Sequence, residues 1–141
     1  MNEYEFSDLE IGQTKSFEVV ITKDMENIFR KLTGDINPLH QDDGYAKQIG
    51  NGKFEGHVCF GMLTASFYST LAGVHLPGKY SLIHSLDIKF QKPVYAGDNL
   101  IVTGIITDKQ EGLNLVQIKA EIKNQKLQSV SKAAIKVLCL K

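Results

Sequence analysis

The stretch from Gly61 to Gly73, GMLTASFYSTLAG, constrains the fold of this chain more than any other. At helical spacing Met62, Leu63, Ala65, Phe67, Tyr68, Leu71 and Ala72 occupy almost the whole circumference. A helix that is apolar all round has no face to give to water, so it must be enclosed. Its small residues Gly61, Ala65, Ser66 and Ser69 suit it to lie close against a sheet.

The residues that follow supply such a sheet. Leu82, His84, Leu86, Ile88 and Phe90 alternate with Ser81, Ile83, Ser85, Asp87 and Lys89, the pattern of a long half-buried strand ending at Pro93. Strand patterns then run over Asn99–Thr107, Leu113–Lys123 and Lys126–Leu140, parted by turn signals at Gly97-Asp98, Glu111-Gly112 and Asn124-Gln125. Upstream, Thr14–Ile21 alternates with Phe17, Val19 and Ile21 on one face. Thr22 is placed to cap a helix carrying Asp24 and Glu26 in its first turn, and Met25, Ile28, Phe29 and Leu32 form its apolar stripe. Gly34 ends that helix and Pro38 keeps it from resuming. Residues 35–60 make a long connection, a length that is functional or holds short helical turns. Strand, helix, loop, buried helix and four antiparallel strands fit an α+β domain in which one antiparallel sheet wraps a central helix, the hot-dog fold. No repeat or linker divides residues 1–141, which read as one domain.

Sixteen basic residues balance sixteen acidic ones, which gives no reason to expect nucleic acid or an anionic membrane as partner. No apolar run approaches the roughly 20 residues of a membrane helix. Cys59 and Cys139 lie in apolar surroundings outside any ligand pattern and read as buried reduced thiols; with an acidic N-terminus lacking an apolar core, a cytoplasmic setting is expected.

The chemistry-bearing segment is Leu32-Thr-Gly-Asp-Ile-Asn-Pro-Leu-His40. A carboxylate, Asp35, and an imidazole, His40, sit five residues apart on a chain stiffened by Pro38, and can converge on one small volume. Together they supply the base and acid that hydration of an activated double bond requires. From residue types alone the plainer reading is favoured, an Asx-turn for Asp35 and an ordinary loop histidine for His40, since turn chemistry selects Asp, Asn and Pro here anyway. His57, His75 and His84 lack metal-ligand spacing with each other or with His40 and read as hydrogen-bonded or exposed. IGNGKFEG is no dinucleotide fingerprint, and Asp42-Asp43 is no calcium loop.

The run LTGDINPLHQDDGYA, residues 32–46, closely resembles the signature of R-specific enoyl-CoA hydratases in the MaoC-like dehydratase family, with Asp35, Asn37, Pro38, Leu39, His40 and Ala46 in register. The likeness continues through Phe54, GMLTASF, LPGK at 76–79 and KFQKPVYAGD at 89–98. It implies that Asp35 and His40 activate water and relay its proton, and that the amide of Gly61 binds the thioester carbonyl. It also implies that Asn37, Pro38, Phe54 and Phe60 contribute to substrate binding, with Ser69 and Leu71 at the positions that limit acyl-chain length. The substrate implied is an acyl-CoA or acyl-carrier-protein thioester, handled by a homodimer with no metal or redox cofactor, since the thioester itself acidifies the alpha carbon. Lys79, Lys89 and Lys92 are candidates for the carrier phosphates, or simply a solvated strand face.

One departure stands out: the family commonly has histidine before the helix glycine, where this chain has Phe60. It motivates one rival, a non-catalytic acyl-CoA-binding module. A second is a dehydratase of a specialised acyl substrate. A third, a hot-dog thioesterase, wants a carboxylate on or beside the central helix, and Gly61–Gly73 has none.

Overall fold

The computed structural model describes all 141 residues. Strand β1 (Thr14–Val20) is followed by helix α1 (Lys23–Thr33), a 3-10 turn at Pro38–His40 and helix α2 (Asp43–Ile49). The central helix α3 (Gly61–Thr70) then runs into a π-helical turn at Leu71–His75. Strands β2 (Ser81–Phe90), β3 (Asn99–Gln110), β4 (Leu115–Lys123) and β5 (Ser129–Cys139) complete the chain. All five strands form one antiparallel sheet in the order β1-β3-β4-β5-β2, so β1 and β2 are its edges.

Local chemistry explains the boundaries. The hydroxyl of Thr22 accepts from the amide of Met25 and starts α1, and Gly34 ends it in the left-handed region at φ 73°. Rows of cross-strand pairs, among them Val102 with Ile122 and Ile118 with both Ile106 and Ile135, build the inner face of the sheet. Against it lie Leu63, Ala65 and Tyr68 of α3 and Leu71 and Ala72 just beyond, within one continuous apolar core. A Cβ at Gly104 would come within 2.7 Å of Leu71 and 3.0 Å of Ile118, which shows how tightly the π-turn is pressed onto the sheet. The hot-dog arrangement expected from the pattern is the arrangement observed. No helix is long and apolar enough to cross a membrane.

Three expectations need correction. Strand β2 does not alternate without interruption: Ile83 pairs with Val137 and Ser85 with Lys136, so His84 is an extra, bulged residue. Before the bulge Ile83, not Leu82, packs on the core, and after it Ile88 does. In α1, Met25 and Phe29 meet the core while Ile28 and Leu32 are exposed, because the helix turns the side bearing Glu26 inward. Helix α3 is enclosed on most but not all sides: Met62, Ser66 and Ser69, one face at helical spacing, remain open in the single chain.

Leu71 has no exposed surface and packs against a backbone with no room to collapse. Leu71→Ala is therefore expected to lower the unfolding free energy by about 2–5 kcal/mol, read as a lower urea midpoint at unchanged slope.

Candidate active site

Past Gly34 the chain is shaped by a cascade of short side-chain bonds. Thr33 Oγ1 accepts from the Asp35 amide at 3.3 Å, Asp35 Oδ1 from the Asn37 amide at 3.0 Å, and Asn37 Oδ1 from the Leu39 amide at 3.0 Å. Pro38 opens the 3-10 turn that delivers His40. Asn37 and Pro38 thus build the loop rather than touch the groove described below. Asp35 does form the Asx-turn that its residue type allows; its carboxylate is exposed and its second oxygen accepts no hydrogen bond from the chain.

His40 is half-buried, and its Nδ1 lies 2.7 Å from the Val58 carbonyl oxygen. A carbonyl can only accept, so Nδ1 carries the proton and the neutral ring keeps its basic lone pair on Nε2. The ring packs on Phe60 with centroids 4.4 Å apart. His40 lines a groove of about 310 Å³ together with Phe54, Gly61, Thr64, Phe90 and Ser131. At the start of α3 the amides of Gly61 and Met62 find no acceptor in the chain, and Phe60, in the capping position, offers none from its side chain. A methyl group at Gly61 would sit 3.2 Å from the Phe90 ring, so glycine keeps this entrance open. Lys92 borders the groove, Lys79 pairs with Glu3, and Lys89 lies on the outer face of the sheet. A larger hollow of about 570 Å³ on that outer face holds Lys, Asp and Glu side chains beside alanines, but no imidazole and no unpaired helix amide. The smaller groove is the one equipped for acid–base chemistry.

His40, Gly61 and Phe54 thus come together at the groove, and Asp35 lies outside it. Phe60 does not border it either: it is buried behind His40, between that ring and Phe29 at 5.1 Å. The pocket roles expected of Ser69 and Leu71 are not supported. Ser69 faces solvent on the open side of α3, and Leu71 is sealed in the core against Gly104. Cys59, at the groove wall, has its thiol pushed up to about 12 by burial and by the charges of Glu26 and Asp98, so it stays protonated and is no nucleophile. No three His, Cys, Asp or Glu side chains gather as a metal site.

What residue patterns missed is a charged cluster behind the groove. Glu26 is only 3% exposed, and its Oε2 lies 3.1 Å from His57 Nε2. On the other side of the ring, Asp43 Oδ1 lies 2.6 Å from His57 Nδ1 and also accepts the His57 backbone amide at 2.8 Å. Burial disfavours the charged ring, but the hydrogen bonds to Asp43 and Glu26 and their charges outweigh it, and the His57 pKa is raised. The His57 backbone and ring in turn hold the Asp43 carboxyl below its usual range. A polar residue inside an amphipathic helix, Glu26, was the available signal.

The chain belongs to the MaoC like domain family, whose model matches residues 7–128. It is 32% identical over 109 residues to an (R)-specific enoyl-CoA hydratase of Rhodospirillum rubrum, spanning 74% of each chain. It is 32% identical over 117 residues to the (R)-specific enoyl-CoA hydratase of Aeromonas caviae, covering 83% of this chain and 85% of that one. The solved R-hydratase PhaJ1 from Pseudomonas aeruginosa superposes with a TM-score of 0.86 at 26% identity, over 96% of this chain and 84% of that chain.

The charged cluster carries a pH signature. Folding raises the His57 pKa above 6.5, so its stabilisation is complete below that value and is lost as pH rises through the folded pKa. The expected result is a melting temperature that declines from about pH 6.5 upward, and a shallower decline in His57→Gln, measured by calorimetry across pH 6–9.

Proposed function

We propose that this protein is an (R)-specific enoyl-CoA hydratase, adding water reversibly across the double bond of a trans-2-enoyl thioester. The observation that carries the reading is one groove holding both a histidine with its basic nitrogen free and an unpaired helix-terminal amide. The Gly61 amide would donate to the thioester carbonyl oxygen, at the positive end of the α3 dipole, as negative charge develops there. His40 Nε2 and the Asp35 carboxylate share the proton transfers: one water O–H bond breaks, oxygen bonds to the beta carbon, and a proton reaches the alpha carbon. The (R) outcome and the coenzyme A carrier follow the named relatives. The chemistry calls for neither metal nor redox cofactor, because the carbonyl activates its own alkene. Helix α3 brings no carboxylate to the groove, which disfavours thioester hydrolysis. Two buried, unpaired cysteines favour a reducing cytoplasmic setting.

Incubation with crotonyl-CoA should bleach the conjugated enoyl absorbance. His40→Ala and Asp35→Asn are each expected to lower kcat/KM by about 10²–10⁴-fold. A wild-type rate no faster than Asp35→Asn, across several chain lengths, defeats the reading.

We further propose that the working unit is a homodimer. Strand β2 is a ten-residue unpaired edge carrying exposed Leu82, Leu86 and Phe90. Ile28, Leu32, Ile36 and Met62 are also more than half exposed, an apolar load best covered by a second copy. Light scattering should give twice 15.7 kDa, and a monomer at micromolar concentration would contradict it.

A further inference from the structure

We propose that His57, clamped between Glu26 and Asp43, is a positioning residue that fixes the protonation pattern of His40 through the carbonyl of Val58. The inference rests on the hydratase reading only for its catalytic consequence.

The connection is short and made of named bonds. His57 is held by its ring on both sides and by its backbone amide on one, with α1 supplying Glu26 and α2 supplying Asp43. The next residue, Val58, donates to the Leu39 carbonyl at 2.9 Å and accepts from His40 Nδ1 at 2.7 Å. Cys59 then donates to the Val94 carbonyl at 2.7 Å. Residues 57–59 therefore form an extended tie between the His40 loop and the segment preceding β3, and His57 is its charged anchor.

The clamp is strong because it has no alternative. Both ring nitrogens face carboxylate oxygens, so only the doubly protonated ring satisfies both. The second oxygen of Glu26 is buried without a partner, so His57 is the one hydrogen-bond partner its carboxylate has. Arg30, one turn along α1, makes no hydrogen bond to Glu26: its terminal nitrogens donate to Asn27 at 2.9 Å and to the His40 carbonyl at 3.3 Å, and its buried Nε has no partner. Remove the imidazole and a buried carboxylate is left uncompensated, which the structure relieves by moving the tie. Val58 then no longer presents its carbonyl to Nδ1, and no other group in the structure bonds a His40 ring nitrogen to select the tautomer that leaves Nε2 basic.

The test uses the full-length protein labelled with nitrogen-15 at histidine. Imidazole nitrogen shifts report which nitrogen of His40 is protonated, with His40→Gln fixing the assignment. In wild type, His40 is expected to be protonated at Nδ1 alone. In His57→Ala, a mixture of tautomers is expected, with kcat on crotonyl-CoA falling about 10- to 100-fold and KM within twofold, since displacement of order 1 Å at a reacting group costs about that much. Added imidazole, seated between Glu26 and Asp43, should restore both readouts. Glu26→Gln, which keeps the side-chain shape, gives the second reading should His57→Ala not fold. A folded variant whose His40 keeps the Nδ1–H tautomer overturns the proposal whatever its rate, as does a mixed tautomer with kcat within twofold of wild type. Should the wild type not hydrate any enoyl thioester, the functional reading falls while the tautomer measurement still decides whether His57 governs His40.

Discussion

The enclosure of α3 by the curled sheet is the constraint on which the rest depends. A helix with Leu63, Ala65 and Tyr68 on its buried side must be covered along that side, and covering it carries its first turn into the protein as well. Helix starts usually recover their orphan amides with a capping side chain. Here the capping position is Phe60, whose ring turns away to pack between His40 and Phe29. The amides of Gly61 and Met62 are thereby left unpaired beside a groove. Phe60 in the capping position thus has a physical consequence: nothing in the chain competes with an incoming oxygen for those donors, and His40 gains an apolar wall.

A second layer holds that arrangement in register. The His40 loop shapes itself through the Asp35, Asn37 and Pro38 turn chemistry, and it is fastened to the body of the protein by the Val58 segment and by Arg30. Carboxylates on α1 and α2 clamp the segment through one imidazole. A buried ion pair such as that of Glu26 with His57 adds little net stability over apolar packing, but breaking it is expensive. That asymmetry suits a device whose task is to hold a geometry.

Much of this was legible in the residues. The enclosed helix, the strands after it, the Thr22 cap and the Gly34 stop all follow from local periodicity and capping chemistry, and the loop signature singled out His40. The failures share a cause, dependence on partners distant in sequence. The His84 bulge exists only relative to Val137 and Lys136 on β5. The inward turn of α1 exists because His57, 31 positions away, receives Glu26. Ser69 and Leu71 are two residues apart, yet which of them meets the sheet is decided by how α3 is rolled against it. The Val58 carbonyl is a backbone atom, and no residue type announces it.

The exposure of Asp35 belongs to the same logic. A carboxylate open to water is well solvated, and its interactions with a bound substrate strengthen when water is excluded around it. The apolar side chains left uncovered include Ile36, next to Asp35, Leu32 on the last turn before it, and Met62, next to Gly61. Under the proposed pairing of two chains, burying those groups is what stabilises the dimer, and the same burial would withdraw Asp35 from bulk water. Stability of the assembly and competence of the carboxylate would then be one free-energy change viewed from two sides, which is reason enough for an isolated chain to show His40 in place and Asp35 still in the open.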